Sequence, residues 1–228
     1  MKSYLKKVIS KKISKNENAI VVASCGRSGS TMLTESLALS SIEYGVGYIE
    51  KKMADAVTKW DWDLKTENLE RGYIHKTHDY PPKSIEIEGA KFIYVYADPY
   101  EVVYSTIRKS REEGQEWIRE HAKHMKSEIC SVEEIIKADA LGLENNFDAW
   151  RNISSKNVMI LNYENIWNRR GEISEFVGYD VKIPKKKERR SSKGIVSEKE
   201  QKMIKKVYES MHVKVENEKK IGEYAGER

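Results

Sequence analysis

Residues Ala19–Leu39 read AIVVASCGRSGSTMLTESLAL, and this stretch decides the fold of the chain. Its first part is a run of β-branched and small apolar residues, which predicts a buried strand. Gly26 and Gly29 then bracket a short loop, and apolar residues at helical spacing follow. Glycines let backbone N–H groups converge on an anion, and a helix N-terminus adds unpaired amides and partial positive charge. The stretch therefore predicts a strand, a loop that binds phosphate or sulfate, and a helix.

The loop departs from the one that binds nucleoside triphosphates. That loop has the pattern G-x-x-x-x-G-K-[ST], whereas here Ser24 stands at the first glycine position and Ser30 at the lysine position. The cation of this loop is Arg27, whose side chain stays charged and can hold two oxygens at once. Short glycine motifs have low specificity, so a plain turn with an incidental arginine is the alternative interpretation.

Length and composition narrow the class of protein. The 228 residues suit one domain, expected to span residues 1–228, and a composition of 39% hydrophobic and 34% charged residues lies above the disordered range. No apolar run approaches the roughly 20 residues of a membrane span, and the first residues lack the apolar core of a signal peptide. With two cysteines in all, the sequence predicts a soluble, cytoplasmic protein without an integral membrane segment.

Positive charge is concentrated in two segments. Residues 1–18 place apolar residues near helical spacing between six lysines, which predicts a basic lead-in helix. Residues 185–194, KKKERRSSKG, form a basic loop before a helix predicted over Ser197–Met211. Neither segment has the interleaved aromatic residues of a surface that stacks bases, so an anionic small ligand is expected rather than nucleic acid.

Lys76 and His78 lie in Gly72–His78, GYIHKTH, a predicted strand that is followed by two prolines. Side chains alternate along a strand, so these two residues share one face. In an open parallel sheet the carboxyl ends of the strands face the ligand crevice, so both are expected beside Arg27. Histidine titrates near neutrality, which makes His78 the candidate general base.

A continuous apolar run, Lys91–Tyr96, predicts a strand buried in a parallel sheet, and a helix is predicted over Tyr100–Arg111. Asp98 lies between them, and an acid at the end of an apolar strand is where nucleotide kinases hold magnesium. A kinase that uses Mg-ATP is therefore one alternative function. The other elements predicted from the pattern are a strand over Ile42–Tyr48, a helix over Glu50–Trp62, helices within Glu112–Leu143 and a strand over Val158–Asn162.

These motifs resemble those of the sulfotransferases that use 3'-phosphoadenosine 5'-phosphosulfate (PAPS). The first signature of that family is a strand, then Lys or Arg followed by Ser-Gly-[ST]-[ST], which Arg27–Thr31 matches. Its Lys-Thr-His motif is matched in full by Lys76–His78. Its second signature is an apolar strand, then Arg-[ND]-Pro, with a serine eight residues after the arginine. Asp98-Pro99 and Ser105 are in place, but Ala97 stands at the arginine position.

The resemblance implies a three-layer α/β/α fold with a central parallel sheet of about five strands, similar to P-loop nucleoside triphosphate hydrolases. It implies transfer of a sulfuryl group from PAPS to a hydroxyl or amine of a small-molecule or carbohydrate acceptor, with 3',5'-adenosine bisphosphate (PAP) as product and no metal. Arg27 would neutralise the leaving oxygen, Lys76 would hold the sulfuryl oxygens, and His78 would be the base, with Glu35 or Glu50 as alternative base. The implied cofactor-binding residues are Gly26, Arg27, Ser28, Gly29, Ser30, Thr31, Ser105, Arg108, Arg190, Lys193 and Gly194.

Ala97 is the main departure from the family pattern. The family's arginine and serine hold the 3'-phosphate, and a basic loop ending in Lys-Gly closes over it. A lost charge-assisted hydrogen bond of about 1.5–3 kcal/mol weakens cofactor binding about 10- to 100-fold unless another cation substitutes. Arg108 and the loop that ends at Lys193-Gly194 are the candidate substitutes. The departure also supports a second alternative, a non-catalytic nucleotide-binding relative.

No motif identifies the acceptor. Residues 112–143 are predicted to form the acceptor wall, and their His121 and His124 are interpreted as surface or packing residues because metal-ligand spacing is lacking. The tryptophans are interpreted as core residues, with a pocket for a sugar or an aromatic acceptor as the alternative. They are Trp60, Trp62, Trp117 and Trp150.

Overall fold

The computed structural model describes residues 16–42, 54–129, 131–186 and 193–225. Its strands are β1 (Ala19–Ser24), β2 (Thr58–Trp60), β3 (Ile74–Thr77), β4 (Ala90–Tyr96) and β5 (Val158–Asn162). They form one five-stranded sheet in the order β2-β3-β1-β4-β5, and every pairing is parallel. Because the strands are parallel, the segments that follow β1, β3 and β4 all leave the same edge of the sheet.

Helices follow β1, β4 and β5 along the chain. They are α1 (Ser30–Ser41), α2 (Pro99–Glu113), α3 (Gln115–His124), α4 (Val132–Lys137), α5 (Leu143–Arg151), α6 (Arg170–Val177) and α7 (Glu198–Ala225). The Asp98 side chain caps α2, and Ser197 with Glu200 forms a reciprocal capping box at the start of α7. Helix α7 continues to Ala225, well past its predicted end at Met211.

Both faces of the sheet are covered by helices. Ile20 and Val22 of β1 pack with buried residues of α1 and α6, whereas Val21 and Ala23 pack with buried residues of α2–α5 and α7. All four are fully buried, as expected for a central strand of a parallel sheet. The predicted three-layer α/β/α architecture is confirmed. Among the helices within the described ranges, none combines the length and the apolar content that a membrane crossing requires.

The helix predicted over Glu50–Trp62 is wrong in its last part. Residues Thr58–Trp60 form the edge strand β2, which pairs with β3 in the register Thr58↔Ile74. Threonine and tryptophan both favour strands. The pairing of this segment with the edge of the sheet, however, cannot be read from the spacing of apolar residues in the sequence. Three predictions fall wholly or mostly outside the described residues, namely the lead-in helix over residues 1–18, the strand over Ile42–Tyr48 and the loop over residues 185–194.

Candidate functional site

The loop between β1 and α1 has the backbone of an anion cradle. Gly26, Arg27 and Gly29 have positive φ angles of 78°, 50° and 84°. Successive residues of this kind turn neighbouring N–H groups toward one side, and α1 begins directly after Gly29. A non-glycine residue in this conformation stores roughly 1–3 kcal/mol of strain, and such residues cluster at functional sites. Arg27 adopts it with its side chain in the wall of a cavity of about 520 Å³.

Close neighbours leave no room for side chains at either glycine. A Cβ added to Gly26 would come within 2.7 Å of His121 Cε1, and one added to Gly29 would come within 2.2 Å of the Tyr163 ring. Both contacts are shorter than any real Cβ contact, and both residues already have positive φ. The two glycines therefore serve the close packing of the loop as well as its turn.

Hydroxyl groups in and beside the loop fix its shape. Ser28 Oγ donates to the carbonyl oxygen of Val95 in β4 at 3.0 Å, and Ser30 Oγ lies 2.8 Å from Ser24 Oγ. Ser30 and Thr31 line the cavity, whereas Ser28 is fully buried behind it. The hydroxyl of Ser28 thus anchors the loop to the sheet.

Lys76 is buried beside the loop without a carboxylate partner. It is 2% exposed, and its ammonium lies 5.1 Å from the ring centroids of both Trp60 and Trp62. No carboxylate of the described residues lies within 4.0 Å of it. Burial, and secondly the charge of Arg27, lower the pKa of Lys76 to about 8. A buried cation without a counterion destabilises the folded protein, and a bound anion would relieve that cost.

His78 is held as a neutral base. Its Nδ1 lies 2.9 Å from the carbonyl oxygen of Ser24. A carbonyl oxygen can only accept, so Nδ1 carries the proton and Nε2 keeps its lone pair. Burial, and secondly the charge of Lys76, hold the pKa of His78 well below its ordinary value of 6.5. At neutral pH, His78 therefore contributes an unprotonated Nε2 to the cavity that it lines.

The chain around His78 is fixed by buried hydrogen bonds. Asn146 Nδ2 donates to the carbonyl oxygen of His78 at 3.4 Å, and Trp150 Nε1 donates to that of Asp79 at 3.0 Å. Thr77 Oγ1 donates to the Asp79 carboxylate at 2.8 Å. Trp150 is fully buried, which confirms its interpretation as a core residue. Helix α5 thus holds the end of β3 in place.

The side of the cavity formed by α2 carries Ser105 and Arg108. Ser105 Oγ accepts two hydrogen bonds from Arg27, at 3.1 Å from Nε and 3.0 Å from Nη2. Arg108 pairs with Glu112 at 3.5 Å, and its buried Nε has no hydrogen-bond partner within the described part of the chain. Ala97 is 3% exposed and packs in the core. Arg108 is therefore the cation that α2 brings to the cavity.

Asp98 is not among the residues that line the cavity. One of its oxygens accepts from the N–H of Tyr100 at 2.8 Å, and the other lies 2.8 Å from His212 Nδ1 of α7. Asp98, His212 and Glu216 place one ligand atom each within 4.8 Å of one another, but Glu216 already pairs with Lys219. These contacts begin α2 and dock α7 against it, so Asp98 does not support a kinase-type magnesium site beside the loop.

Two residues of α3, Trp117 and His121, lie in the cavity wall. Their rings are stacked at a centroid distance of 4.9 Å, and His121 is 7% exposed. His121 therefore packs on Trp117, in agreement with its interpretation as a packing residue, and it also lines the cavity. His124 packs as well, because it stacks on Trp62 at 4.1 Å. The spacing of four residues between Trp117 and His121, which puts both on one helix face, is the sequence signal that points to this wall.

The other predicted site residues divide into three groups. Glu35, the alternative base, lines the cavity from α1. Glu50 and Arg190 lie outside the described residues. Lys193–Ile195 forms a short 3-10 turn whose last carbonyl accepts from Arg111 of α2, and Gly194 is not among the lining residues. The structure thus brings together one set of predicted residues around the cavity, namely Arg27, Gly29, Ser30, Thr31, Glu35, Lys76, His78, Ser105 and Arg108.

No family model matches this sequence, and no curated protein matches it either. Solved structures do match. A mouse sulfotransferase, SULT7A1, complexed with PAP is 18% identical, with a TM-score of 0.47 over 78% of this chain and 64% of that one. Retinol dehydratase in complex with androsterone and inactive cofactor PAP is 15% identical, with a TM-score of 0.41 over 90% and 69%. The sulfotransferase domain from the curacin biosynthetic pathway is 15% identical, with a TM-score of 0.37 over 74% and 76%.

This chain therefore spans 64% of the length of the mouse protein. The matches are to the family that the sequence motifs resemble. At these identities and TM-scores, the similarity gives this chain neither an activity nor a substrate, so its chemistry has to be inferred from the residues around the cavity.

Proposed function

We propose that this chain is a sulfotransferase that moves a sulfuryl group from PAPS to a hydroxyl or amine of a small-molecule or carbohydrate acceptor. The observation that carries the proposal is the environment of Lys76. This lysine is 2% exposed and unpaired among the described residues, and it shares the cavity with an anion-binding loop and the neutral His78. Such a site favours an anionic group next to an atom that loses a proton.

The residues of the cavity fit both phosphates of the donor. The backbone amides that follow Arg27, at the start of α1, suit the 5'-phosphate. Arg108, whose buried Nε is unpaired within the described residues, and Ser105 suit the 3'-phosphate. Arg108 would thereby take the place of the arginine that Ala97 replaces in the family pattern.

PAPS supplies a sulfuryl group that is activated by its bond to a phosphate oxygen. His78 Nε2 takes the proton of the acceptor hydroxyl, and Lys76 holds the sulfuryl oxygens. Arg27 and the loop amides stabilise the negative charge that develops on the leaving phosphate oxygen. One S–O bond forms to the acceptor, the S–O bond to the phosphate breaks, and the acceptor proton ends on His78.

Glu35 is the alternative base, because it lines the same cavity. A non-catalytic nucleotide-binding relative is the second candidate function, and it is favoured by the burial of Ala97 at the position of the missing arginine. The acceptor and the cytoplasmic location expected from the sequence remain predictions.

Incubation of the purified protein with radiolabelled PAPS and a panel of phenols, alcohols, amines and sugars tests the proposal. The expected result is release of PAP together with label in at least one acceptor, without added metal. Binding of PAP with no consumption of PAPS would replace the proposal with the non-catalytic candidate. Magnesium-dependent turnover of ATP in a parallel reaction would replace it with the kinase.

A further inference from the structure

Two histidines from different elements face one point beside Gly26. A Cβ built on this glycine would lie 3.2 Å from Nε2 of His121 and 3.7 Å from Nε2 of His78. His121 belongs to α3, whereas His78 follows β3. The rings meet edge to face at a centroid distance of 5.9 Å, and both line the cavity. The two Nε2 atoms therefore lie near each other at the wall of the cavity, where one ligand oxygen in the cavity can lie between them.

Packing holds the His121 side chain in place without a hydrogen bond from its Nε2 atom to the described residues. The residue is 7% exposed, and its ring is stacked on Trp117 with an interplanar angle of 13°. Its Nε2 is buried and has no hydrogen-bond partner among the described residues. Leaving a buried polar atom unpaired destabilises a protein, so such atoms call for an explanation. A hydrogen-bonding ligand atom in the cavity that His121 lines would satisfy this one.

His121 is also uncharged at neutral pH. Burial, then the charges of Arg27, His124 and Lys76, lower its pKa to about 4. A neutral imidazole can donate from one nitrogen and accept at the other. Because His78 Nε2 is an acceptor, a hydroxyl between the two rings forms both hydrogen bonds only when His121 Nε2 is the donor.

We infer that His121 positions the acceptor by donating a hydrogen bond from Nε2 to the oxygen whose own proton passes to His78, and that it thereby selects hydroxyl over amine acceptors. The inference rests on the proposed sulfuryl transfer. The acceptor O–H bond breaks, its proton goes to His78 Nε2, and one oxygen lone pair forms the new S–O bond as the S–O bond to the donor phosphate breaks. His121 keeps its proton throughout.

The selectivity follows from counting lone pairs. A hydroxyl oxygen has two, so one can attack sulfur while the other accepts from His121. A neutral amine nitrogen has one, and this lone pair cannot attack sulfur while it accepts the hydrogen bond. An amine acceptor therefore reacts only when it makes no hydrogen bond with His121, so removal of the His121 nitrogen should leave its rate unchanged.

The test uses two variants at this position and one control. His121→Phe keeps the stacking on Trp117 and removes the nitrogen, whereas His121→Gln retains an N–H donor. His124→Phe is the control, since this neighbouring histidine stacks on Trp62 and is not among the residues that line the cavity. Release of PAP from PAPS is measured with naphthol and naphthylamine, with phenol and aniline, and with water alone. Calorimetry gives the affinity of each variant for PAP.

We expect His121→Phe to lower kcat/KM for the hydroxyl of each active pair by about tenfold or more, with the amine rate and the PAP affinity within about twofold of wild type. His121→Gln should recover part of the loss, and His124→Phe should keep the hydroxyl preference. Equal rates for His121→Phe and wild type would overturn the inference and leave the proposed function standing. The inference would also be overturned if His121→Phe lost as much PAP affinity, or as much kcat/KM for amines, as it loses in kcat/KM for hydroxyls. Failure of His121→Gln to recover any of the kcat/KM for hydroxyls would overturn it too. A wild-type protein that consumes no PAPS with any acceptor would overturn both.

Discussion

The cationic side chains on two sides of the cavity, Lys76 and Arg108, differ in burial and in pairing. At the end of β3, Lys76 is 2% exposed and has no carboxylate partner in the described part of the chain. On α2, the side chain of Arg108 is 35% exposed and pairs with Glu112 at 3.5 Å. The hydroxyl of Ser105, also on α2, already accepts from Arg27.

This difference indicates how binding energy is divided between the two sides. A buried, unpaired ammonium gains strongly from an anion, whereas a half-exposed guanidinium with a carboxylate neighbour gains less because solvent and the carboxylate already stabilise it. We therefore expect changes on the β3 side to have large effects on transfer, and changes on the α2 side to alter donor affinity more modestly.

The largest effect is expected from His78→Ala. Loss of the base should lower kcat by about 10²- to 10⁴-fold with little change in PAP affinity. Steady-state kinetics with the best acceptor of the panel measures it. Glu35→Gln is the matched control, because Glu35 lines the same cavity from α1, and it should keep kcat within about threefold of wild type. A large loss in Glu35→Gln with normal turnover in His78→Ala would move the role of base to Glu35.

Lys76→Met should lower the activity of the protein but raise the stability of its ligand-free form. Without the ammonium, kcat/KM should fall by about 10²- to 10³-fold, as for other groups that stabilise developing charge. The same change should stabilise the ligand-free protein by up to about 3 kcal/mol at pH 7, because the pKa of Lys76 is lowered from 10.5 to about 8 by burial without an anion. Thermal unfolding without ligand measures this gain.

The sign of the pH dependence gives a second readout of the same variant. Below pH 8 the lysine is charged in both the folded and the unfolded state, so Lys76→Met should show its full gain in the free energy of unfolding. This gain should shrink as the pH rises from about 8 towards 10.5. Lys59→Met is the control, since Lys59 of β2 pairs with Glu70 at 2.9 Å and its removal should not stabilise the protein. An unchanged or lowered melting temperature for Lys76→Met would contradict the assignment of Lys76 as an unpaired buried cation.

On the α2 side, Arg108→Ala should weaken PAP binding by about 10- to 100-fold and leave the affinity for 5'-AMP unchanged. Arg111→Ala is its control one turn further along α2, because Arg111 pairs with Glu200 at 2.9 Å and is not among the residues that line the cavity. Calorimetric titration of both variants measures the effect. Equal losses for PAP and AMP in Arg108→Ala would show that Arg108 does not contact a 3'-phosphate.

The smallest effect is expected from pH. Above about pH 8 the free protein loses the charge of Lys76, so kcat/KM should fall by about tenfold per pH unit. A bound anion raises the pKa of this lysine, so the fall in kcat should begin at higher pH than the fall in kcat/KM. On the acid side, kcat/KM should stay level to well below pH 6.5, since His78 remains neutral there. An acid limb near pH 6.5 would contradict the described environment of His78.

The sequence predicts the loop after β1 and the end of β3 well for a physical reason. The glycine loop after β1 and the shared face of Lys76 and His78 are local consequences of turn chemistry and strand alternation. Parallel pairing of β1 and β3 is then enough to bring the ends of these two strands together, because backbone hydrogen bonds fix their register.

Features that depend on how helices lie on the sheet could not be predicted in this way. His121 reaches the loop only because α3 packs against it, and its spacing from Trp117 alone does not say what that face covers. The hydrogen bond from the Ser28 hydroxyl to the carbonyl oxygen of Val95 joins the loop to a neighbouring strand, a contact that no local pattern indicates. Strand β2 is formed by pairing at the sheet edge, which local periodicity does not encode.

The central claim is that this cavity binds the nucleotide of PAPS through a 3'-phosphate as well as a 5'-phosphate. Calorimetric titration with PAP, 5'-AMP and Mg-ATP tests it most directly. We predict that PAP binds at least about tenfold more tightly than AMP, without added metal. Equal affinity for PAP and AMP, or a preference for Mg-ATP, would contradict the claim.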